Sequence, residues 1–160
     1  MNHQDTKGTK PIPHEVDLIA RQVVDAAYAV HTALGPGLIE SVYEVCLAHE
    51  IAKRGLKVER HIALPIIYDN IHLDGGLHLD LVIENCLIVE LKAVETILPV
   101  HHAQVLTYLK LAGFRLGLLI NFNVKLIKDV IKRIALWFSW CPWWLIKSVN
   151  YNMLSLITYK

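Results

Sequence analysis

Three side chains in this chain have the types and spacing to act together around one cation: Asp80, Glu90 and Lys92. Asp80 and Glu90 lie ten residues apart, on either side of Glu84-Asn85-Cys86, which reads as a tight hairpin loop. A three-residue loop centred on Asn85 sets Asp80 opposite Glu90 and His78 opposite Lys92. Residues two apart on a strand share a face, so these four would cluster on one side of the hairpin. A two-residue loop would slip the register and undo the pairing. Two facing carboxylates repel, and one tends to keep its proton. A hard divalent cation removes that penalty. The plainer alternative is a Glu–Lys or Asp–Lys ion pair at a strand end.

These residues need a scaffold. Val16, Ile19, Val23, Ala27, Val30 and Leu34 recur at helical spacing after Pro13, and Gly35-Pro36-Gly37 ends that helix. A second helix is predicted over residues 39–54, with Val42, Val45, Cys46, His49 and Ala52 inward and Gly55 as the C-cap glycine. Residues 57–68 read as extended. Asp69-Asn70 and Asp74-Gly75-Gly76 read as turns, and residues 77–83 and 87–91 as strands. Residues 99–111 return to helical spacing through Val100, Ala103, Leu106, Leu109 and Leu111. Residues 116–120 form a buried apolar strand, and residues 124–135 read as a closing helix. The order α-α-β-β-β-α-β-α is an α/β fold with a mixed central sheet flanked by helices. It divides into a disordered leader (1–11), one domain (12–135) and an aromatic tail (136–160).

Composition narrows the class. The chain has 160 residues, 54% of them hydrophobic, enough for one well-buried core. A net charge of +1 excludes a strongly basic nucleic-acid coat, so polyanion contact would need a local patch or a metal. Cys46, Cys86 and Cys141 lack zinc or redox spacing, which suits a reduced cytoplasmic compartment. The polar N-terminus has no apolar signal core. Residues 135–146 (ALWFSWCPWWLI) are too short to span a bilayer and contain Pro142.

The set Asp80…Glu90-Leu91-Lys92 resembles the PD-(D/E)xK nuclease signature. Three further elements support the likeness. Residues 37–43 fit G-x-x-E-x-x-Y, residues 104–108 fit Q-x-x-x-Y, and residues 118–123 (LLINFN) occupy the place of a short closing strand. Over about residues 12–134 the chain resembles the GxxExxY protein family, a branch of the PD-(D/E)xK superfamily. The resemblance implies a restriction-endonuclease-like core and a nuclease that cleaves phosphodiester bonds in DNA, or RNA, with Mg²⁺ or Mn²⁺. It makes Asp80 and Glu90 metal ligands. Glu40 becomes a further acidic ligand or orients the attacking water, and Lys92 positions that water and stabilises charge on the phosphate. Tyr43, His78, Gln104 and Tyr108 become substrate-binding or supporting residues. One departure stands out: family members often carry arginine where this chain has His78, which weakens phosphate grip or makes it pH-dependent.

Other readings rest on other residues. A catalytically silent module binding nucleic acid or protein on the same fold is the main alternative, and a peripheral membrane protein is a third. Trp137, Trp140, Trp143 and Trp144 suit core, an oligomer or protein contact, or a membrane interface better than base stacking. His101 and His102 point about 100° apart on a helix, so they read as a solvated pair. His3, His14, His31, His49, His61 and His72 show no ligand spacing.

Overall fold

The computed structural model describes residues 11–126 and 131–136. The leader through residue 10 and the tryptophan tail from residue 137 lie outside the described residues. Two helices come first, α1 (His14–Leu34) and α2 (Glu40–Lys53). Three strands follow, β1 (Val58–Tyr68), β2 (Ile71–Ile83) and β3 (Leu87–Lys92). Then come α3 (Pro99–Ala112), β4 (Leu116–Asn121) and β5 (Ile131–Ala135). The strands form one mixed sheet in the order β1-β2-β3-β4-β5. Among the described residues only β3 and β4 pair in parallel, joined by the crossover through α3. The predicted α/β architecture therefore holds.

Apolar side chains cover both faces of the sheet. One face carries α1 and α2, through Val23, Ala27, Tyr43, Leu47 and Ile51 packed on Leu81, Val89, Leu91 and Leu118. The other carries α3, through Val105, Tyr108, Leu109 and Ala112 packed on Val82, Ile88 and Leu119. Gly117 lets α3 approach: a Cβ there would stand 2.7 Å from the Val105 side chain.

Several sequence expectations are corrected. Residues 131–135 are an edge strand, not the end of a helix. Ile131 and Ile134 are three apart, a helical spacing, yet they enter the cores on opposite faces of the sheet. The inner face of α2 is Tyr43, Glu44, Leu47, Ala48 and Ile51, while Val42 and Val45 are 37% and 49% exposed. Helix α3 likewise turns Val105, Tyr108 and Leu109 inward and leaves Val100 62% exposed. On α1 the buried final-turn residue is His31, not Leu34. Its Nε2 lies 2.7 Å from the Val124 carbonyl.

Asp74-Gly75-Gly76 is no turn, because β2 runs through it. Between the pairs Leu64↔Leu77 and Ile66↔Leu73, β1 uses Pro65 alone while β2 uses those three residues. The irregularity absorbs a proline that cannot donate to a ladder, on a strand at the sheet edge. The true turn is Asp69-Asn70, both at positive φ (47° and 63°), the two-residue hairpin geometry that Asn and Asp tolerate.

Candidate active site

The hairpin between β2 and β3 has the predicted register. Glu84-Asn85-Cys86 connect the strands, with Ile83↔Leu87, Val82↔Ile88 and Leu81↔Val89 paired. The ladder stops there, one step short of Asp80 and Glu90. The Asp80 carboxylate takes up the freed donor: the Leu91 N–H donates to Asp80 Oδ2 at 2.8 Å. A side chain thus replaces a strand–strand hydrogen bond where β2 and β3 part.

The partner strand is distorted at the same level. Register places His61 opposite Asp80, between Arg60↔Leu81 and Ile62↔Leu79, and this pair is missing from the ladder. His61 has φ 51°. Across this step the strands exchange faces. Val58, Leu81 and Ile83 pack towards α1 and α2, whereas Ile62, Leu77 and Leu79 pack towards α3. Simple alternation therefore fails at Asp80, although the register that sets it across from Glu90 holds.

Glu90 is 1% exposed. Lys92 Nζ donates to Glu90 Oε1 at 2.6 Å, and the Lys92 side chain is itself only 14% exposed. Glu90 Oε2 is buried and has no hydrogen-bond partner. Burial, reinforced by the Asp80 charge, pushes the Glu90 carboxyl up to about 7 despite the Lys92 contact. Burial also raises Asp80, opposed by the Leu91 N–H and the Lys92 charge. Desolvation alone would lower Lys92, but the Glu90 contact and the charges of Glu90, Glu40 and Asp80 outweigh it and raise the ammonium. The cluster is therefore short of positive charge.

Glu40 reaches the cluster from the first turn of α2. Burial raises its carboxyl, the Lys92 charge and the Ala93 N–H lower it, and Asp80 raises it. The turn that delivers Glu40 is locked by Tyr43. The Tyr43 hydroxyl donates to the Gly35 carbonyl at 2.6 Å and accepts from the Leu38 N–H at 3.1 Å. Its ring stacks on Phe122 with centroids 4.6 Å apart. Gly37 sits at φ 102°, which a side chain would strain. In the G-x-x-E-x-x-Y segment, then, Gly37 and Tyr43 build the turn that presents Glu40. Tyr43 is fully buried and supports the site through this turn.

Helix α3 brings Gln104 and Tyr108, one turn apart. Gln104 Nε2 donates to the Tyr108 hydroxyl at 2.6 Å. Burial raises the Tyr108 phenol, the Gln104 bond lowers it, and the charges of Glu90 and Asp80 raise it again. His78 is exposed, pairs with Ala63 on β1, and makes no hydrogen bond or ion pair with the acids. His101 is a helix-start residue: its Nδ1 accepts from the Leu98 N–H at 3.1 Å. Cys46 and Cys86 are free thiols.

A sequence model described as the PD-(D/E)XK nuclease superfamily matches residues 17–134. The chain belongs to the PD-(D/E)XK nuclease superfamily. Its sheet and flanking helices form a restriction-endonuclease-like fold. No curated protein and no solved structure matches the chain. Members of this superfamily generally cleave nucleic acids, typically with divalent metals.

Two supporting residues escaped the sequence reading. Asn121, 1% exposed, lies beside Lys92 in the parallel ladder. Its Oδ1 accepts from the Val94 N–H at 3.1 Å and its Nδ2 donates to the Val94 carbonyl at 2.7 Å. It fixes the chain just past Lys92. Glu44, 5% exposed, binds Arg60 Nε at 2.7 Å and His61 Nε2 at 3.1 Å through Oε1. A buried acid one helical turn after Glu40 was the available signal, masked because α2 seemed to turn another face inward.

The acids fit a divalent cation in part. Among the described residues, no three His, Cys, Asp or Glu side chains already form a closed cage. Mg²⁺ commonly uses one or two carboxylates and completes its shell with water and substrate phosphate. The unpartnered Glu90 Oε2, the Asp80 carboxylate and Glu40 are hard oxygen donors of the right kind. Among the described residues no helix is long and apolar enough to cross a membrane.

Proposed function

We propose that the protein is a metal-dependent nuclease hydrolysing phosphodiester bonds in DNA or RNA, with Mg²⁺ or Mn²⁺ as cofactor. The carrying observation is the buried, charge-deficient group of Asp80, Glu90 and Lys92 at the parting of β2 and β3, with Glu90 Oε2 unpartnered. The fit of residues 37–43 to the GxxExxY pattern supports placing the chain in that branch.

In this reading Asp80, Glu90 and Glu40 hold the cation. When bound, the cation polarises a phosphoryl oxygen and makes water a better nucleophile near neutral pH. Lys92 leaves Glu90 Oε1 to orient the attacking water and to stabilise the charge that grows on the phosphate. The Leu91 N–H keeps Asp80 in place. Gln104 and Tyr108 form a hydrogen-bonded pair beside the acids, where either can donate to a phosphate or hold Lys92 in position. Cleavage leaves one product with a terminal phosphate and one with a terminal hydroxyl.

Purified protein incubated with end-labelled single- and double-stranded DNA and RNA, with Mg²⁺ or Mn²⁺, tests this. Cleavage that stops on chelation and in Glu90→Ala is expected. No cleavage of any substrate, or equal cleavage by Glu90→Ala, would overturn it.

A second reading has one observation in its favour: Lys92 already neutralises one oxygen of Glu90. A silent nucleic-acid- or protein-binding module on this fold would need nothing more. It predicts binding that survives both chelation and Glu90→Ala.

A further inference from the structure

We infer that Arg60 and His61, oriented by Glu44, form a phosphate-binding subsite that grips the substrate backbone beside the cleavage site. The inference rests on the nuclease reading and adds a substrate-positioning element outside the acid–lysine group. Its basis is the geometry of three side chains from two elements.

Glu44 sits on the inner face of α2, one turn beyond Glu40, with its side chain 6% exposed. A single oxygen, Oε1, takes both Arg60 Nε and His61 Nε2. Arg60 is therefore anchored through one of its five donors. Its terminal guanidinium nitrogens have no partner among the described residues, and its side chain is 39% exposed. The His61 side chain is 62% exposed. A buried carboxylate thus holds two outward-facing basic side chains, a guanidinium and an imidazole. A guanidinium fixed at Nε still presents two parallel N–H donors, the geometry that binds one phosphate at two points.

The location links this unit to the acids. His61 is opposite Asp80 in the β1–β2 register, at the step where the ladder breaks. Its φ of 51° lies in the left-handed region, disfavoured for a residue with a Cβ. Such backbone strain persists where the surroundings enforce it, often at functional sites. The Glu44 and His61 charges both act on Asp80, and the Glu44 charge also acts on Glu40. A polynucleotide with one phosphate at Lys92 carries further phosphates a few ångströms along its backbone. Arg60 and His61 stand on β1, beside the β2 strand that carries Asp80, to receive one. His78, on the facing stretch of β2, makes no hydrogen bond or ion pair with the acids, so the subsite falls to β1.

Ion pairing alone would explain Arg60 if its only task were to neutralise Glu44, so the test separates charge balance from substrate grip. Steady-state cleavage is measured on whichever labelled oligonucleotide the wild type cuts, over a range of salt. The variants are the double change Arg60→Gln with Glu44→Gln, the single change His61→Gln, and Arg60→Lys. The double change leaves a neutral hydrogen-bonding couple in place of a lone buried charge. We expect it to raise KM about 10-fold with kcat within about 3-fold, and to reduce the log KM–log salt slope by about 1. His61→Gln should raise KM by a smaller factor. Arg60→Lys, which keeps charge and loses the fork, should fall between wild type and the double variant. Unchanged KM and salt slope in a double variant that melts cooperatively would overturn the subsite and leave the nuclease reading standing. If the double variant does not fold, Arg60→Lys decides, and a wild-type KM in it overturns the subsite. A wild type that cleaves none of the substrates removes the nuclease reading and the subsite together.

Discussion

Glu44 and Glu90 are both buried glutamates, yet their surroundings differ in charge balance. One oxygen of Glu44 meets two basic side chains, Arg60 and His61, both partly open to water. Glu90 meets one amine, faces Asp80, and leaves its second oxygen without a partner. A buried carboxylate costs free energy unless it is paired. The first site is balanced by the chain itself. The second lacks positive charge, and its carboxyl is pushed up to about 7 in consequence. The difference marks the parting of β2 and β3, not the α2–β1 contact, as the place where the chain leaves buried carboxylate charge uncompensated by its own side chains.

The comparison can be broken in order of effect. The largest is catalytic. Lys92→Ala should lower the cleavage rate by about 10²-fold or more, as loss of one oriented stabiliser of transition-state charge does. Rates of the purified variant against wild type check it, and a near-wild-type rate would mean that Lys92 only neutralises Glu90.

Next comes stability, where the two glutamates should answer with opposite signs. Glu44→Gln loses charge-assisted bonds to Arg60 and His61 and should destabilise by about 1.5–3 kcal/mol. Glu90→Gln removes an under-compensated charge and should leave metal-free protein at pH 7.5 as stable as wild type or more so. Thermal melting in chelator measures both, and a fall of equal size in both variants would erase the distinction.

The pH dependence sharpens the same contrast. Glu90 has a raised folded-state value, so the folded protein keeps a proton that the unfolded chain releases. Between the ordinary glutamate value of about 4.3 and about 7, metal-free stability should therefore fall as pH rises. Asp80 and Glu40, also raised, act in the same direction. Melting curves across this range should slope downward in wild type and flatten in Glu90→Gln.

The smallest effect concerns the turn that presents Glu40. Tyr43→Phe keeps the stack on Phe122 and loses the bonds to Gly35 and Leu38. It should cost about 1 kcal/mol for each hydrogen bond lost. Denaturant titration checks this, and unchanged stability would show that the hydroxyl does not hold the turn.

Much of this was legible in the sequence because it depended on local spacing. The loop at Asn85 and the alternation of β3 were enough to set Asp80 across from Glu90 and to put Lys92 on the same strand. The helices were readable from Gly and Pro boundaries. What was not legible depended on partners far along the chain. The inner face of α2 is set by Tyr43 reaching Gly35 and by Glu44 reaching Arg60, while Val42 and Val45 offer an equally apolar face outside. Residues 131–135 looked helical because the sheet is covered on both sides, so Ile131 and Ile134, three apart, are each drawn into a core, on opposite faces. The exchange of faces at His61 and Asp80 has no signal in the periodicity, since histidine carries no mark of positive φ. Asn121 was hidden because its role depends on lying beside Lys92 in a parallel ladder.

Mn²⁺ binding to the metal-free full-length protein tests the central claim most directly, read from the loss of the free-ion paramagnetic resonance signal. The account predicts a saturable site in wild type that strengthens as pH rises through about 7 and is lost in both Asp80→Ala and Glu90→Ala. Mn²⁺ binding of equal affinity in wild type and both variants would contradict it.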